Sequence, residues 1–146
     1  MKISYGKNVY GKEEINSVIK QLHKTTQMGS SVSTFESLIA KQFSKKFGLM
    51  VNSGSSALTL AMNVLNFKKN DEIIIPCLNF GTALSSIMHA GATPILVDIE
   101  IDTLQIDVSK IESKITKKTK AIMVPNLIGN IPVSYTHLRA HETEEN

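Results

Sequence analysis

The chain has 146 residues, of which 42% are hydrophobic and 20% charged, with one cysteine and a formal net charge of +3. This apolar content excludes an intrinsically disordered chain, and a single cysteine excludes a disulfide framework or a cysteine-cluster metal site supplied by these residues alone. No apolar run approaches the roughly 18 residues of a membrane span, and the N-terminus lacks an apolar signal-peptide region, so we expect a cytoplasmic protein without a membrane partner.

The charges are unevenly distributed along the chain. Residues 1–132 contain 15 Lys, no Arg and 10 acidic residues, whereas residues 133–146 contain the only Arg, three Glu and no Lys. All 17 Ile also precede residue 133. This break in composition indicates a different origin for the last 14 residues. The lysines are mostly scattered, which is typical of solvated surfaces and predicts no nucleic-acid partner.

The first 51 residues contain two predicted helices and one predicted strand. Apolar residues at helical spacing predict an amphipathic helix over residues 13–22. Ser33 and Glu36 stand three apart as a capping box, which predicts the start of a second helix that ends at Gly48. The apolar run 49–51 is too short for a helix and predicts a buried strand.

The rest of the chain up to residue 132 alternates between short strands and helices. A β-branched run at residues 73–75 predicts a strand buried on both faces. Alternation of this kind predicts an α/β fold with a mostly parallel sheet flanked by helices, and ligand sites beyond the carboxyl ends of the strands. In chain order the predicted elements are a helix over 57–65, the strand 73–75, a helix over 82–90, a strand over 94–97, a short helix capped by Asp107 and a strand over 121–124.

The segment 52–57, Asn-Ser-Gly-Ser-Ser-Ala, joins a predicted strand to a predicted helix. The first amides of a helix are unpaired and its dipole is positive there. Gly54, Ser55 and Ser56 can therefore hold a phosphate through main-chain N–H groups and hydroxyls. The common dinucleotide and P-loop fingerprints are absent. A serine-rich helix cap without a ligand explains the spacing equally well.

Phe80 and Cys77 lie in the next strand-to-helix turn. The Phe80 ring can cover a bound heteroaromatic ring, or it can pack in the core as most phenylalanines do. No basic side chain stands next to Cys77 in the sequence, so we predict a small buried residue and not a nucleophile.

We predict no metal site in the chain. Asp98, Glu100 and Asp102 follow a strand, where acidic residues are typical of solvated turns. His137 and His141 lack the second histidine after the His-Glu pair that the zinc-protease pattern requires.

Three segments carry a resemblance to a known family. They read VNSGSSALTLAMNVL, NDEIIIPCLNFGTALSSIMHAGATPILVDIEIDTLQID and KITKKTKAIMVPNLIGNIP. In this order they resemble the N-terminal half of the large domain of DegT-type (DegT/DnrJ/StrS) sugar aminotransferases. These are pyridoxal-phosphate (PLP) enzymes of aminotransferase fold type I that act on nucleotide-linked keto sugars. The resemblance implies an arm and helix over residues 1–30 and a partial PLP-binding domain over residues 31–132.

The resemblance also assigns residues to the cofactor, as PLP or its amine form (PMP). Gly54, Ser55 and Ser56 fall on the family's phosphate-binding turn, where Ser55 replaces the usual threonine and keeps the hydroxyl. Phe80 falls on the aromatic residue that stacks on the cofactor ring. Asn126 occupies a position that is often histidine in the family.

The family's catalytic residues do not match any position of this chain. The lysine that anchors the cofactor and the aspartate that pairs with its ring nitrogen come later in the family, so we expect catalytic residues downstream of residue 132. The resemblance implies an enzyme whose partners are a nucleotide-linked keto sugar and an amino donor, expected to be glutamate. It also implies a homodimer in the complete protein and a role in lipopolysaccharide or other surface-glycan biosynthesis. The fragment alone is predicted to be inactive.

Two alternatives accompany this interpretation. A CDP-4-keto-6-deoxyglucose 3-dehydrase-like enzyme shares the fold and cofactor, and the segments 52–57, 80–82 and 127–130 favour that branch. In the second alternative the polypeptide is an inactive fragment.

The string VSYTHLRAHET resembles translated adapter or vector sequence, so residues 133–146 are predicted to be a non-native tail.

Overall fold

The computed structural model describes residues 6–131. These residues form two compact units, and the division between them falls after Met50. In order, the helices are α1 (Lys12–Lys24), α2 (Ser30–Gln42), α3 (Gly54–Leu65) and α4 (Gly81–His89), and the strands are β1 (Glu72–Pro76), β2 (Thr93–Val97) and β3 (Thr119–Ile122). The predicted helix over 13–22 is confirmed as α1. Predictions that fall on residues 132–146, including those on His137 and His141, lie outside the described residues.

The start and end of α2 differ from the prediction. The capping box is wrong, because the helix begins one turn earlier at Ser30 and the Glu36 Oε1 instead accepts a hydrogen bond from the Met50 amide at 2.8 Å. The predicted stop at Gly48 is also wrong. The helix ends at Gln42, and Ser44 then takes the left-handed conformation (φ 52°).

The predicted strand over residues 49–51 is also wrong. This segment carries no strand assignment, and the Leu49 side chain is exposed. Among residues 6–131 the parallel sheet consists of β1, β2 and β3 and does not include this segment. A short apolar run does not form a strand without a partner for its backbone groups.

The second unit contains a three-stranded parallel sheet in the order β2-β1-β3. The central strand β1 is buried on both faces, as its β-branched run predicts. Ile73 and Ile75 pack on one side with Met62 of α3 and Ile87 of α4. Ile74 faces the other side, where a second cluster also contains Val97, Ile106 and Ile111.

The remaining predicted elements of this unit are largely present. Gly91, with φ at +79°, follows α4 and supplies the left-handed residue that commonly ends a helix. Asp107 does act as a cap, since its Oδ1 accepts from the Ser109 amide at 3.1 Å. The predicted short helix after it is wrong in type, because the chain forms two 3₁₀ turns, Val108–Lys110 and Glu112–Lys114.

Candidate functional site

The candidate site begins at the first turn of α3. Ser53 is the N-cap residue, and its Oγ accepts a hydrogen bond from the Ser56 amide at 3.1 Å. The Ala57 amide donates to the Ser53 carbonyl oxygen at 3.1 Å. Within residues 6–131, the amides of Gly54 and Ser55 find no acceptor. Two main-chain donors are thus free at the positive end of a 12-residue helix.

The three hydroxyls near this turn differ in their partners. The Ser56 Oγ donates to the Asn52 Oδ1 at 2.6 Å and lies 3.0 Å from the Ser53 Oγ. The Ser55 hydroxyl has no hydrogen-bond partner among the described residues. A Cβ placed on Gly54 meets no atom within 4 Å, so the space in front of the turn is open. Two amides, one free hydroxyl and open space form a donor set that fits a phosphate.

A shallow groove of about 420 Å³ runs beside this turn along α3. Its lining residues are Val51, Ser55, Ser56, Thr59, Leu60 and Asn63. Phe80 is not among them, so the groove covers only one side of the predicted site.

Phe80 is the N-cap residue of α4, and its side chain is 74% exposed. Its amide donates to the Asn79 Oδ1 at 2.7 Å, and its carbonyl oxygen accepts from the Ala83 amide at 2.9 Å. These bonds fix the backbone of the turn while the ring stays outside the core. Among the described residues, Phe80 is therefore not part of the core. The Asn79 Nδ2 is buried and has no partner among the described residues.

The α3 turn and Phe80 lie at the same edge of the sheet. The carboxyl end of β1 leads through residues 77–80 into α4. Helix α3 is about 18 Å long, packs on the same side of β1 as α4, and connects through residues 66–71 to the start of β1. Its N-terminus is therefore at the carboxyl end of β1. This is the edge where parallel α/β sheets bind their ligands.

Cys77, in the same turn, is exposed, so the prediction of a buried residue is wrong. The Cys77 amide still donates to the Val97 carbonyl oxygen of β2 at 2.8 Å, but the residue lies beyond the end of β1 and at the surface. The Cys77 Sγ lies 3.6 Å from the Asp98 Oδ1. The Ile99 amide, 2.9 Å from the same carboxyl oxygen, holds the pKa of Asp98 below its ordinary value, and Lys110 at 3.3 Å lowers it further.

Lys110 bridges two carboxylates after β2. Its Nζ lies 3.3 Å from the Asp98 Oδ2 and 3.2 Å from the Asp107 Oδ2. The Ser109 hydroxyl, with Lys110, lowers the pKa of Asp107, and the hydrogen bond to Asp107 contributes most to the raised pKa of Lys110. These acidic residues therefore stabilise a turn, as predicted for Asp98. Residues 6–131 contain no group of three or more His, Cys, Asp or Glu side chains arranged to hold a metal.

Sequence reasoning missed Gln105, which is 4% exposed and joins two loops. Its Nε2 donates to the Leu127 carbonyl oxygen at 3.1 Å, and the Asn130 Nδ2 donates to the Thr103 carbonyl oxygen at 2.8 Å. These two bonds connect the loop after β2 to the turn after β3. Within that turn, Ile128 takes a left-handed conformation (φ 58°) that β-branched residues rarely adopt. The position of Gln105 between Leu104 and Ile106 was the only available signal in the sequence.

The fold and the helix turn together define an α/β chain with an open donor set at the carboxyl edge of a parallel sheet. Residues 9–144 match the model of the DegT/DnrJ/EryC1/StrS aminotransferase family. The chain therefore belongs to this family, as its sequence segments indicate. The match continues into residues 133–144, and the non-native origin of the tail stays a prediction.

Two curated relatives and one solved structure show the extent of the similarity. The GDP-4-keto-6-deoxy-D-mannose 3-dehydratase of Yersinia pseudotuberculosis is 35% identical over 130 residues, which cover 84% of this chain and 33% of the relative. The GDP-perosamine synthase of Escherichia coli O157:H7 is 41% identical over 102 residues, which cover 70% of this chain and 28% of the relative. The structure of E coli GDP-4-keto-6-deoxy-D-mannose-3-dehydratase with bound hydrated PLP is 32% identical and matches 92% of this chain and 36% of its own, with a TM-score of 0.85.

These comparisons confirm the predicted fold, the N-terminal part of a PLP-dependent aminotransferase fold. The chain spans about a third of the length of the relatives that it matches. Among residues 6–131, no helix is both long enough and apolar enough to cross a membrane.

Proposed function

We propose that the chain supplies the phosphate-binding part of a PLP-dependent enzyme that transfers an amino group to a nucleotide-linked keto sugar. The observation that carries the proposal is the pair of free amides, Gly54 and Ser55, at the carboxyl edge of a sheet in a chain of the aminotransferase family. The PLP-bound relative with the same fold supports this cofactor.

The residues of the chain have separate roles in this proposal. Gly54 and Ser55 donate their amides to the cofactor phosphate, and the Ser55 hydroxyl adds a third donor. Ser56 belongs to the same turn, but its hydroxyl donates its proton to the Asn52 Oδ1. The exposed Phe80 ring covers the cofactor ring and keeps water from one of its faces. When bound, PLP supplies an electron sink for chemistry at the carbon next to nitrogen.

A sugar 3-dehydratase is the second candidate, because a relative of that activity is 35% identical. The names of these two relatives support a GDP-linked sugar, whereas the dehydrase alternative drawn from the sequence uses a CDP-linked one. By family resemblance, the residue at the cofactor-anchoring position is lysine in the aminotransferases and histidine in the dehydratases. That residue, which we place downstream of residue 132, discriminates between the two candidates.

The finer assignments belong to the complete protein. We propose glutamate as the amino donor, a homodimer as the active assembly, the cytoplasm as its location and surface-glycan or lipopolysaccharide biosynthesis as its role. The 146 residues alone are proposed to be inactive, because none of the 15 Lys lies in a motif like that of the cofactor-anchoring lysine. Formation of an amino sugar by this chain with PLP, glutamate and a GDP-linked keto sugar would contradict that proposal.

Binding of PMP tests the site, because PMP carries the phosphate but has no aldehyde to react with surface lysines. The variant Gly54→Pro removes one amide donor from the first position of α3, where proline is well tolerated. Ser53 before it already has the extended backbone that a following proline requires (φ −161°, ψ 160°). The expected result is native circular dichroism and PMP binding weakened about tenfold or more, the loss typical of one hydrogen bond to a charged group.

The matched control is Lys12→Pro, which places a proline at the first position of α1, again after an extended residue. This control is expected to bind PMP as the wild-type chain does. If Gly54→Pro folds and binds PMP with unchanged affinity, or if the wild-type chain does not bind PMP, the proposed site is wrong.

A further inference from the structure

Asn52 holds one hydroxyl of the α3 turn in a fixed direction. Its Oδ1 lies 2.6 Å from the Ser56 Oγ and accepts the only proton of that hydroxyl. The Ser53 Oγ lies 3.0 Å from the same Ser56 oxygen, so the Ser53 hydroxyl must be the donor in that contact. The Ser56 amide closes the ring by donating to the Ser53 Oγ at 3.1 Å.

This small network uses both serine protons inside the turn. A phosphate in front of the helix would therefore receive hydrogen bonds from the Gly54 and Ser55 amides and from the Ser55 hydroxyl. The Ser56 side chain has no proton left to donate to it. The Ser55 hydroxyl can therefore bind the anion, whereas the Ser56 hydroxyl stabilises the turn.

We infer that Asn52 is a positioning residue of the phosphate-binding turn and that it acts through the Ser56 hydroxyl. The inference rests on the proposed function, because it assigns a role within the same site. Its physical basis is preorganisation. With the Ser56 side chain tied to Asn52, the first turn of α3 keeps its two free amides in place before the anion arrives.

A double-mutant cycle on the 146-residue chain tests the inference, with PMP binding measured by equilibrium dialysis. Asn52→Ala and Ser56→Ala each remove one end of the same contact, so each is expected to weaken PMP binding about threefold to tenfold. The double variant is expected to bind no more weakly than the weaker single variant. If the losses multiply, the two residues act independently and the inference is overturned.

Asn52→Asp separates positioning from a purely structural role. The carboxylate still accepts the Ser56 proton, so the thermal midpoint is expected to match that of the wild-type chain. The added charge is expected to weaken PMP binding at low salt, and this part of the loss is screened at high salt. Because the contact with Ser56 is kept, Asn52→Asp at high salt is expected to bind PMP more tightly than Asn52→Ala does under the same conditions. Equal affinities of Asn52→Asp and Asn52→Ala at high salt would overturn the inference. If Asn52→Ala does not fold, Ser56→Ala, which removes the same contact, takes its place in this comparison.

The outcomes distinguish this inference from the proposed function. If Gly54→Pro leaves PMP binding unchanged, the site itself is wrong. If Gly54→Pro weakens binding while the Asn52 variants do not, the site stands and only the role of Asn52 fails.

Discussion

The substitution Ile74→Ala tests whether β1 is the centre of the fold. The Ile74 side chain is fully buried at 0% exposure, and it packs with Val97, Ile106 and Ile111. Truncation to alanine removes three carbon atoms, each worth about 0.8 kcal/mol on burial, or roughly 2.4 kcal/mol in transfer free energy. The cavity left behind adds to this, so we expect the free energy of unfolding to fall by about 3–4 kcal/mol.

Urea denaturation followed by circular dichroism measures this change. The matched control is Ile115→Ala, because the Ile115 side chain is 52% exposed and lies at the end of the second 3₁₀ turn. The control is expected to cost less than about 1 kcal/mol. Equal losses in Ile74→Ala and Ile115→Ala would refute a core built around β1. Since domains are stable by only about 5–15 kcal/mol, the expected loss is a large part of the total.

Two further predictions concern the surface. The pKa values of Asp98 and Asp107 are lowered, so their stabilisation is present above the ordinary carboxyl pKa of about 4 and is lost as the pH falls through the lowered values. The pKa of Lys110 is raised, so its contribution disappears only as the pH rises through that value. Lys110→Met should therefore flatten the acid side of a plot of thermal midpoint against pH, and an unchanged slope would contradict the bridge. Gly48→Ala should destabilise the first unit by about 1–3 kcal/mol in thermal unfolding, because the new Cβ would lie 2.5 Å from the Glu36 carbonyl oxygen; a stability equal to that of wild type would exclude this contact.

The accuracy of the sequence predictions depended on whether a feature is local. The strand β1 and the end of α4 at Gly91 follow from short patterns of residue type, so both could be predicted. The start of α2 could not, because Glu36 is drawn to the Met50 amide 14 residues later. The ion pair of Lys110 with Asp98, which directly follows β2, could not be predicted either, because the two residues are 12 positions apart.

In the candidate site, too, the local features could be predicted from the sequence and the contacts between distant residues could not. The open amides at Gly54 and Ser55 follow from the predicted helix start after a serine-rich turn, and the exposed Phe80 follows from family resemblance. The different roles of Ser55 and Ser56 could not be predicted, because they depend on which hydroxyl reaches Asn52 in space. Gln105 was missed because its partner, the Leu127 carbonyl oxygen, is 22 residues away.

The strand order β2-β1-β3 has a consequence for biosynthesis. β1 is synthesised before β3, so one of its two edges stays unpaired until β3 has been made. The paired residues Glu72 and Thr119 are 47 positions apart. At about 5–20 residues per second, translation delivers β3 roughly 2–9 s after β1. During that interval the nascent chain presents three consecutive isoleucines with one open edge. The acidic pair Asp71 and Glu72, just before them, is placed to discourage association of nascent chains on the ribosome.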